Sequence, residues 1–216
     1  MQDTFKHKGL RKRLVDEIRK KGIHDENVLQ AIEKIPRHLF MDSSFIAFAY
    51  EDKPFPISSG QTISQPYTVA FQTQLLQVKK GEKILEIGTG SGFQSCVLVE
   101  MGAKVFSIER QKLLYDKAKQ FLPSIGYSSV KLFFGDGYKG LPTFAPFDKI
   151  IVTAGAPYIP NDLIIQLKIG GILVIPVGET DAQVMTTISK ISEKECKKIT
   201  YGNFSFVPLL ENRVDK

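Results

Sequence analysis

Three short stretches of the chain are suited to holding a nucleoside. In the first, Ile84-Leu85-Glu86-Ile87-Gly88-Thr89-Gly90-Ser91-Gly92, an apolar run passes directly into three alternate glycines. Residues without side chains let a ligand lie against the backbone, and the carboxyl end of a first strand is where open α/β sheets bind ligands. A dinucleotide fingerprint needs G-x-G-x-x-G; here the third glycine position of that pattern is Phe93. What stands is G-x-G-x-G with Glu86 in the preceding strand, which suits a ligand with no pyrophosphate to cradle. The second stretch, Val105-Phe106-Ser107-Ile108, ends in Glu109, seventeen residues beyond Gly92. A carboxylate there can accept both hydroxyls of a ribose. The third is Gly135-Asp136-Gly137, whose carboxylate could accept an adenine amino group. Falling in order at the ends of three successive strands, they point to an adenosine cofactor.

The elements that must position these residues change character near residue 80. Before it, helical patterns cover residues 10–21 and 26–35, the second behind an Asp25 cap and ended by Pro36. A loop rich in Pro, Ser and Gly follows at residues 54–60. Pro66 then opens a helix, with Phe71, Leu75 and Val78 as its buried stripe and Gly81 as its stop. Beyond it, strand patterns at 83–87, 104–108, 130–134, 147–152 and 171–176 alternate with helical patterns at 92–101, 111–121 and 161–168. That alternation implies a parallel sheet with helices on both faces. Two last segments, 183–189 and 199–207, lack a helix between them and can pair antiparallel. The expectation is one domain: a helical part to residue 80, a cofactor-binding core over 81–180 and a C-terminal strand pair over 181–216.

The chain has 216 residues, 43% hydrophobic and 24% charged, which suits one globular core. No apolar run approaches the roughly 20 residues of a membrane span, and the polar N-terminus lacks a secretory apolar stretch. Cys96 and Cys196, with His7, His24 and His38, show no metal-ligand spacing, so no metal is expected. Two distant cysteines, each read as a small buried or half-buried residue, make no disulfide framework, and the cytoplasm is the expected compartment. The net charge is +6. The basic run Lys6, Lys8, Arg11, Lys12, Arg13, Arg19, Lys20 and Lys21 is interleaved with Leu10, Leu14, Val15 and Ile18 at helical spacing, which reads as a solvated helix face rather than a nucleic-acid surface.

The glycine turn with Glu86 is similar to the first motif of Rossmann-like methyltransferases. The segment Gly60-Gln61-Thr62-Ile63-Ser64-Gln65-Pro66, followed by Tyr67-Thr68-Val69-Ala70, resembles the substrate-site motif of protein-L-isoaspartate O-methyltransferases. Collinear resemblances continue through Ile35-Pro36-Arg37-His38-Leu39-Phe40, the cofactor loop with Phe93 where Tyr is more usual, Ala145-Pro146-Phe147-Asp148, Pro176-Val177-Gly178 and Phe206-Val207-Pro208-Leu209. The resemblance implies a seven-stranded, mostly parallel mixed sheet whose last two strands are ordered unusually. It also implies a reaction: the α-carboxylate of an isoaspartyl residue takes a methyl group from S-adenosylmethionine, leaving S-adenosylhomocysteine, and the ester then closes to a succinimide.

On that reading Ser64 is the catalytic residue, donating a hydrogen bond to the substrate carboxylate. Gln61, Thr62, Ile63, Ser64, Glu86, Gly88, Gly90, Gly92, Glu109, Asp136 and Gly137 are the expected cofactor-binding residues. Locally, Ser64 reads equally well as a helix cap before Pro66. Glu86 reads as a water-mediated contact to the methionyl end, or as a strand-end acid bonded to a neighbouring backbone. Val177, Gly178, Val207 and Pro208 are candidates for a peptide groove. Isoaspartyl proteins and peptides are the expected partners of a monomer that binds neither nucleic acid nor membrane. The alternative is a methyltransferase of the same fold acting on a small molecule or RNA. Against RNA, Val152-Thr153-Ala154-Gly155-Ala156-Pro157 lacks an aromatic clamp after the fourth strand.

Overall fold

A computed structural model describes residues 2–179 and 182–215; the expected boundary between core and strand pair, at residues 180 and 181, lies outside the described residues. Two helices begin the chain, α1 (Phe5–Lys20) and α2 (Glu26–Lys34), followed by two short 3-10 turns. A two-stranded ribbon, β1 (Phe55–Pro56) and β2 (Thr62–Ile63), leads into α3 (Pro66–Leu76). The alternating part runs β3 (Lys83–Ile87), α4 (Phe93–Glu100), β4 (Lys104–Glu109), α5 (Lys112–Ser124), β5 (Lys131–Phe134), β6 (Phe147–Val152), α6 (Asn161–Gln166) and β7 (Leu167–Val177). It closes with β8 (Gln183–Lys190) and β9 (Cys196–Phe204).

The main sheet has seven strands in the order β5-β4-β3-β6-β7-β8-β9. The first five are mutually parallel; β8 runs antiparallel to β7, and β9 to β8. This is the mixed, mostly parallel sheet expected. Because β3 lies between β4 and β6, the strand order reverses there, and the crevice beyond its carboxyl end is where such sheets take ligands. Side chains alternate along β3: Leu85 and Ile87 face one apolar layer with Phe147 and Ile150, while Ile84 faces the layer of Leu76 and Leu98. The N-terminal helices share a third apolar cluster with α4 and α5, in which Ile18, Leu29 and Ile32 meet Phe93, Val97 and Leu122. Among the described residues no helix is long and apolar enough to cross a membrane.

The local chemistry explains most boundaries. The Asp25 carboxylate accepts the amides of Asn27 and Val28, the expected cap of α2. Thr4 caps α1 with His7 reaching back, so that helix starts five residues earlier than the apolar spacing indicated. Helix α3 corrects the sequence reading. It ends at Leu76 because Gln77 turns left-handed at φ 54°, well before Gly81, so Val78 lies outside it. Its buried side holds Thr68, Gln72 and Thr73 as well as Val69 and Leu76. Strand β9 begins three residues earlier than expected, and Cys196, at its start, is exposed while Cys96 is buried. Arg11 is also not solvated. Its side chain is 6% exposed and holds Asp3, the Glu33 carbonyl and the Tyr50 hydroxyl.

Gly92 joins the glycine turn to α4 at φ 84°, where a Cβ would stand 2.7 Å from Leu122 Cδ2. A side chain there meets both the left-handed penalty and a buried leucine. Gly92→Ala should therefore destabilise the protein by roughly 1–3 kcal/mol, read as a fall of several degrees in melting temperature. A melting temperature unchanged from the native chain would contradict this packing.

Candidate active site

The glycine turn forms one wall of a cavity at the end of β3, and three interactions hold it. Thr153, just past β6, donates its hydroxyl to the Gly88 carbonyl at 2.7 Å. Thr89 and Ser107 share a hydrogen bond of 2.6 Å, tying the turn to β4. Glu109, the last residue of β4, accepts the Gly90 amide at 2.9 Å through Oε2 and the Gln111 amide at 2.8 Å through Oε1. At Gly88 a Cβ would stand 2.6 Å from Thr153 Oγ1, so a side chain would break the first of these ties.

Glu109 is almost fully buried. Burial pushes its carboxyl pKa up, against the lowering effect of the Gln111, Gly90 and Arg110 amides. Each of its oxygens has accepted one amide and retains a free lone pair, the arrangement a pair of ribose hydroxyls requires. The other charged residue in the cavity lining, Arg110, turns its guanidinium to the carbonyls of Asn212 and Glu211. Among the described residues the lining thus presents a carboxylate, glycine backbone and apolar walls with no free cation for a phosphate, and these residues fit an adenosine ligand without pyrophosphate.

The opposite wall is the segment expected to meet substrate. The ribbon pairs Phe55 with Ile63 and Pro56 with Thr62, and swings Gln61, Thr62, Ile63 and Ser64 over the glycine turn. Its far end is anchored by Asp52, whose side chain is 2% exposed. Asp52 Oδ1 accepts the Tyr67 amide at 2.7 Å, and Oδ2 accepts Gln65 Nε2 at 3.0 Å and Lys21 Nζ at 2.6 Å. Asp52 thus caps α3 from outside the helix. This corrects the capping alternative for Ser64: the residue at the cap position is Gln65, which makes no side-chain cap bond. Among the described residues the Ser64 hydroxyl has no hydrogen-bond partner.

A second depression adjoins the first, lined by Lys21, Tyr67, Phe71, Phe204 and Phe206 among others. Thr62, Ser64, Thr153 and Val207 line both. Ser64 therefore stands at the junction of the cavity beside the glycine turn and an aromatic groove. Of Val177, Gly178, Val207 and Pro208, only Val207 lines either depression.

Of the residues expected at the cofactor, Gln61, Thr62, Ile63, Ser64, Gly88, Gly90, Glu109 and Gly137 line the cavity. Glu86, Gly92 and Asp136 do not. The pleat turns Glu86 onto the face covered by α4, where it is fully buried and accepts the Ser95 hydroxyl. Gly92 faces Leu122. Asp136 accepts one amide on each oxygen, from Tyr138 at 2.9 Å and from Asn212 at 3.1 Å. Gln72 and Thr153 were missed from the sequence, and Gln94, the last residue of the loop that resembles the family's cofactor motif, was given no role there; each is in the lining. Their partners lie 21 to 80 residues away, so no local pattern marked them.

The chain matches the protein-L-isoaspartate(D-aspartate) O-methyltransferase (PCMT) family over residues 9–214. It is 63% identical to the protein-L-isoaspartate O-methyltransferase of Christiangramia forsetii across 99% of this chain and 100% of that one. Its fold superposes on a solved protein-L-isoaspartate O-methyltransferase with a TM-score of 0.85 at 28% identity, covering 94% of this chain and 66% of that chain. It also matches a Plasmodium falciparum beta-aspartate methyltransferase (PCMT) structure in complex with S-adenosyl-L-homocysteine. That match has a TM-score of 0.79 at 27% identity over 94% of this chain and 99% of that one.

The burial of Glu86 has a measurable consequence. Desolvation raises its pKa to about 7, with the Ser95 and Ser107 hydroxyls opposing and Glu109 adding to the rise. A carboxyl whose folded pKa lies above its unfolded value binds more protons when folded. Its stabilising contribution is full below the unfolded pKa, near 4.3, and is lost as pH rises to about 7. Glu86→Gln keeps an acceptor for Ser95 and removes the titration. The variant should melt above the native chain at about pH 8 and lose that advantage near pH 5. Parallel melting curves across the range would show that Glu86 is not the titrating group.

Proposed function

The chain belongs to the protein-L-isoaspartate(D-aspartate) O-methyltransferase family, and from that premise we propose how its cavity and groove divide the labour of the reaction. The enzyme transfers a methyl group from S-adenosylmethionine to the α-carboxylate of L-isoaspartyl residues in damaged proteins, giving a methyl ester and S-adenosylhomocysteine. The ester is the starting point of repair through a succinimide. The observation that carries the assignment of roles is the place of Ser64, on the boundary between the cavity beside the glycine turn and the aromatic groove.

In this reading S-adenosylmethionine, when bound in the cavity, supplies an electrophilic methyl group on a sulfonium sulfur. Glu109 accepts the ribose hydroxyls with the lone pairs its two amide partners leave free. Gly88 and Gly90 offer bare backbone beneath the nucleoside, Gly137 lies on the adenine side, and Gln61, Thr62 and Ile63 cover the cavity from the ribbon. The groove beside Tyr67, Phe71 and Phe204 takes the peptide chain, and Ser64 donates its unpartnered hydroxyl to the substrate's α-carboxylate at the shared wall. Asp52 acts one step back as a positioning residue, holding Gln65 and the amide of Tyr67 so that Ser64 faces the junction.

The chemistry needs no further catalytic group from this chain. A carboxylate with a pKa near 4 is already ionised at neutral pH, so a base would have no proton to remove. The protein's contribution is alignment, which accelerates a reaction by holding the partners in a near-attack arrangement. Isoaspartyl proteins and peptides are its proposed substrates. The cytoplasm is its proposed site of action, a reducing compartment in keeping with the free thiols of Cys96 and Cys196.

Methyl transfer from labelled S-adenosylmethionine to paired isoaspartyl and aspartyl peptides tests this reading. The isoaspartyl member should be labelled with strong preference, as a base-labile ester. Ser64→Ala should slow single-turnover methylation by about five- to a hundredfold, the effect of one oriented hydrogen bond, at an unchanged melting temperature. Ser64→Thr should keep more activity than Ser64→Ala. Equal labelling of the two peptides, or a Ser64→Ala enzyme that methylates at the native rate, would refute the assignment.

A further inference from the structure

Gln94 sits on the first turn of α4 with 6% of its surface exposed, and it lines the cofactor cavity. Its amide orientation follows from its neighbours. Gln94 Nε2 lies 3.0 Å from Thr73 Oγ1, and the Thr73 hydroxyl donates its single hydrogen to the Val69 carbonyl at 2.7 Å. Toward Gln94 that hydroxyl can only accept, so the amide nitrogen faces Thr73 and the carbonyl oxygen is turned away. That oxygen, Oε1, is shut from solvent and has no hydrogen-bond partner among the described residues. Among the described residues the other buried side-chain polar atoms without partners belong to Arg37, His38 and Glu86, none of which lines the cavity. A buried acceptor left unpaired on a residue that lines a ligand cavity calls for a partner, and a donor on the ligand can supply it.

The donor's identity follows from the order of groups along the cavity. Glu109 and Gly137 lie at the β4 and β5 end, whereas Gln94 lies at the α3 end, with Thr73 and with Gln72, whose amide donates to the Val152 carbonyl. A nucleoside with its ribose on Glu109 and its adenine toward Gly137 directs its sulfur and amino-acid end across Gly88 and Gly90 toward α3. Among the described residues Glu109 is the one carboxylate in the lining, and Glu86 is turned beneath α4 onto Ser95. The α-ammonium of the amino-acid end offers three donors and no acceptor, and a carboxylate placed there would meet the Gln94 oxygen as an electrostatic repulsion. We infer that Gln94 Oε1 accepts a hydrogen bond from the α-ammonium of the cofactor's methionyl end, a contact that Glu86 is turned too far to make. The inference rests on the cavity being the cofactor site.

Titration calorimetry with two ligands isolates the contact. S-adenosylhomocysteine carries the ammonium; methylthioadenosine keeps the nucleoside and thioether but lacks the amino-acid end. Gln94→Met, close in shape and without the acceptor, should weaken S-adenosylhomocysteine by roughly ten- to a hundredfold and leave methylthioadenosine within about twofold of native. Gln94→Glu restores an acceptor of greater charge and should bind S-adenosylhomocysteine more tightly than Gln94→Met does. Unchanged S-adenosylhomocysteine affinity in Gln94→Met, or equal losses for both ligands, would overturn the assignment. Should Gln94→Met fail to fold, a Gln94→Glu protein that favours S-adenosylhomocysteine over methylthioadenosine less than the native chain does would overturn it as well. Native protein that binds neither ligand would be a separate result, removing the cavity as the cofactor site.

Discussion

The site depends on the tie between Glu109 and the glycine turn. Parallel pairing of β3 with β4 sets Ile87 beside Ile108, which brings the end of one strand level with the turn that follows the other. The Glu109 carboxylate then accepts the amides of Gly90 and Gln111. Burying a carboxylate is costly unless donors meet it, and these two backbone donors offset part of that cost while leaving a lone pair on each oxygen. The same group therefore shapes the cavity wall and remains able to receive a ligand. A glycine turn alone would be a flexible loop; tied to Glu109, to Ser107 through Thr89 and to Thr153, it becomes a surface of defined form.

Asp52 does for the substrate side what Glu109 does for the cofactor side. It joins Lys21 at the end of α1, the Gln65 side chain and the first turn of α3 around one buried carboxylate. The helix N-terminus has amides without intrahelical partners, and taking the Tyr67 amide from outside leaves Ser64 free of that duty. Two carboxylates from distant parts of the chain thus fix the two walls, and the reacting groups meet where the walls approach.

Much of this was legible in the sequence. Strands β3 and β6 fall on the residues their apolar runs indicated, and Pro66 opens α3 as its missing amide suggests. Gly88, Gly90, Glu109, Gly137 and the segment from Gln61 to Ser64 line one cavity. What the sequence left open was direction. Glu86 has the right type and position for a ligand contact, but which face a strand residue serves depends on the helix that covers it, and α4 covers this one. Asp136 does not line the cavity, and its contact with Asn212, 76 residues away, has no local signature. The basic character of α1 concealed Arg11, whose binding to Asp3, Glu33 and Tyr50 becomes visible only when three segments meet. Asp52 and the role of Gln94 escaped for the same reason: their chemistry is ordinary until long-range neighbours orient them.

The central claim is that this chain catalyses by alignment of an already ionised nucleophile and not by proton transfer. The most direct measurement is the single-turnover methylation rate of an isoaspartyl peptide, with both substrates saturating, from about pH 6 to pH 8 in ordinary and heavy water. A nucleophile with a pKa near 4 is fully ionised across that range, so the rate should be flat and show no solvent isotope effect. A rate that climbs with pH through a group titrating near neutrality, with a marked solvent isotope effect, would show a base at work and contradict the account.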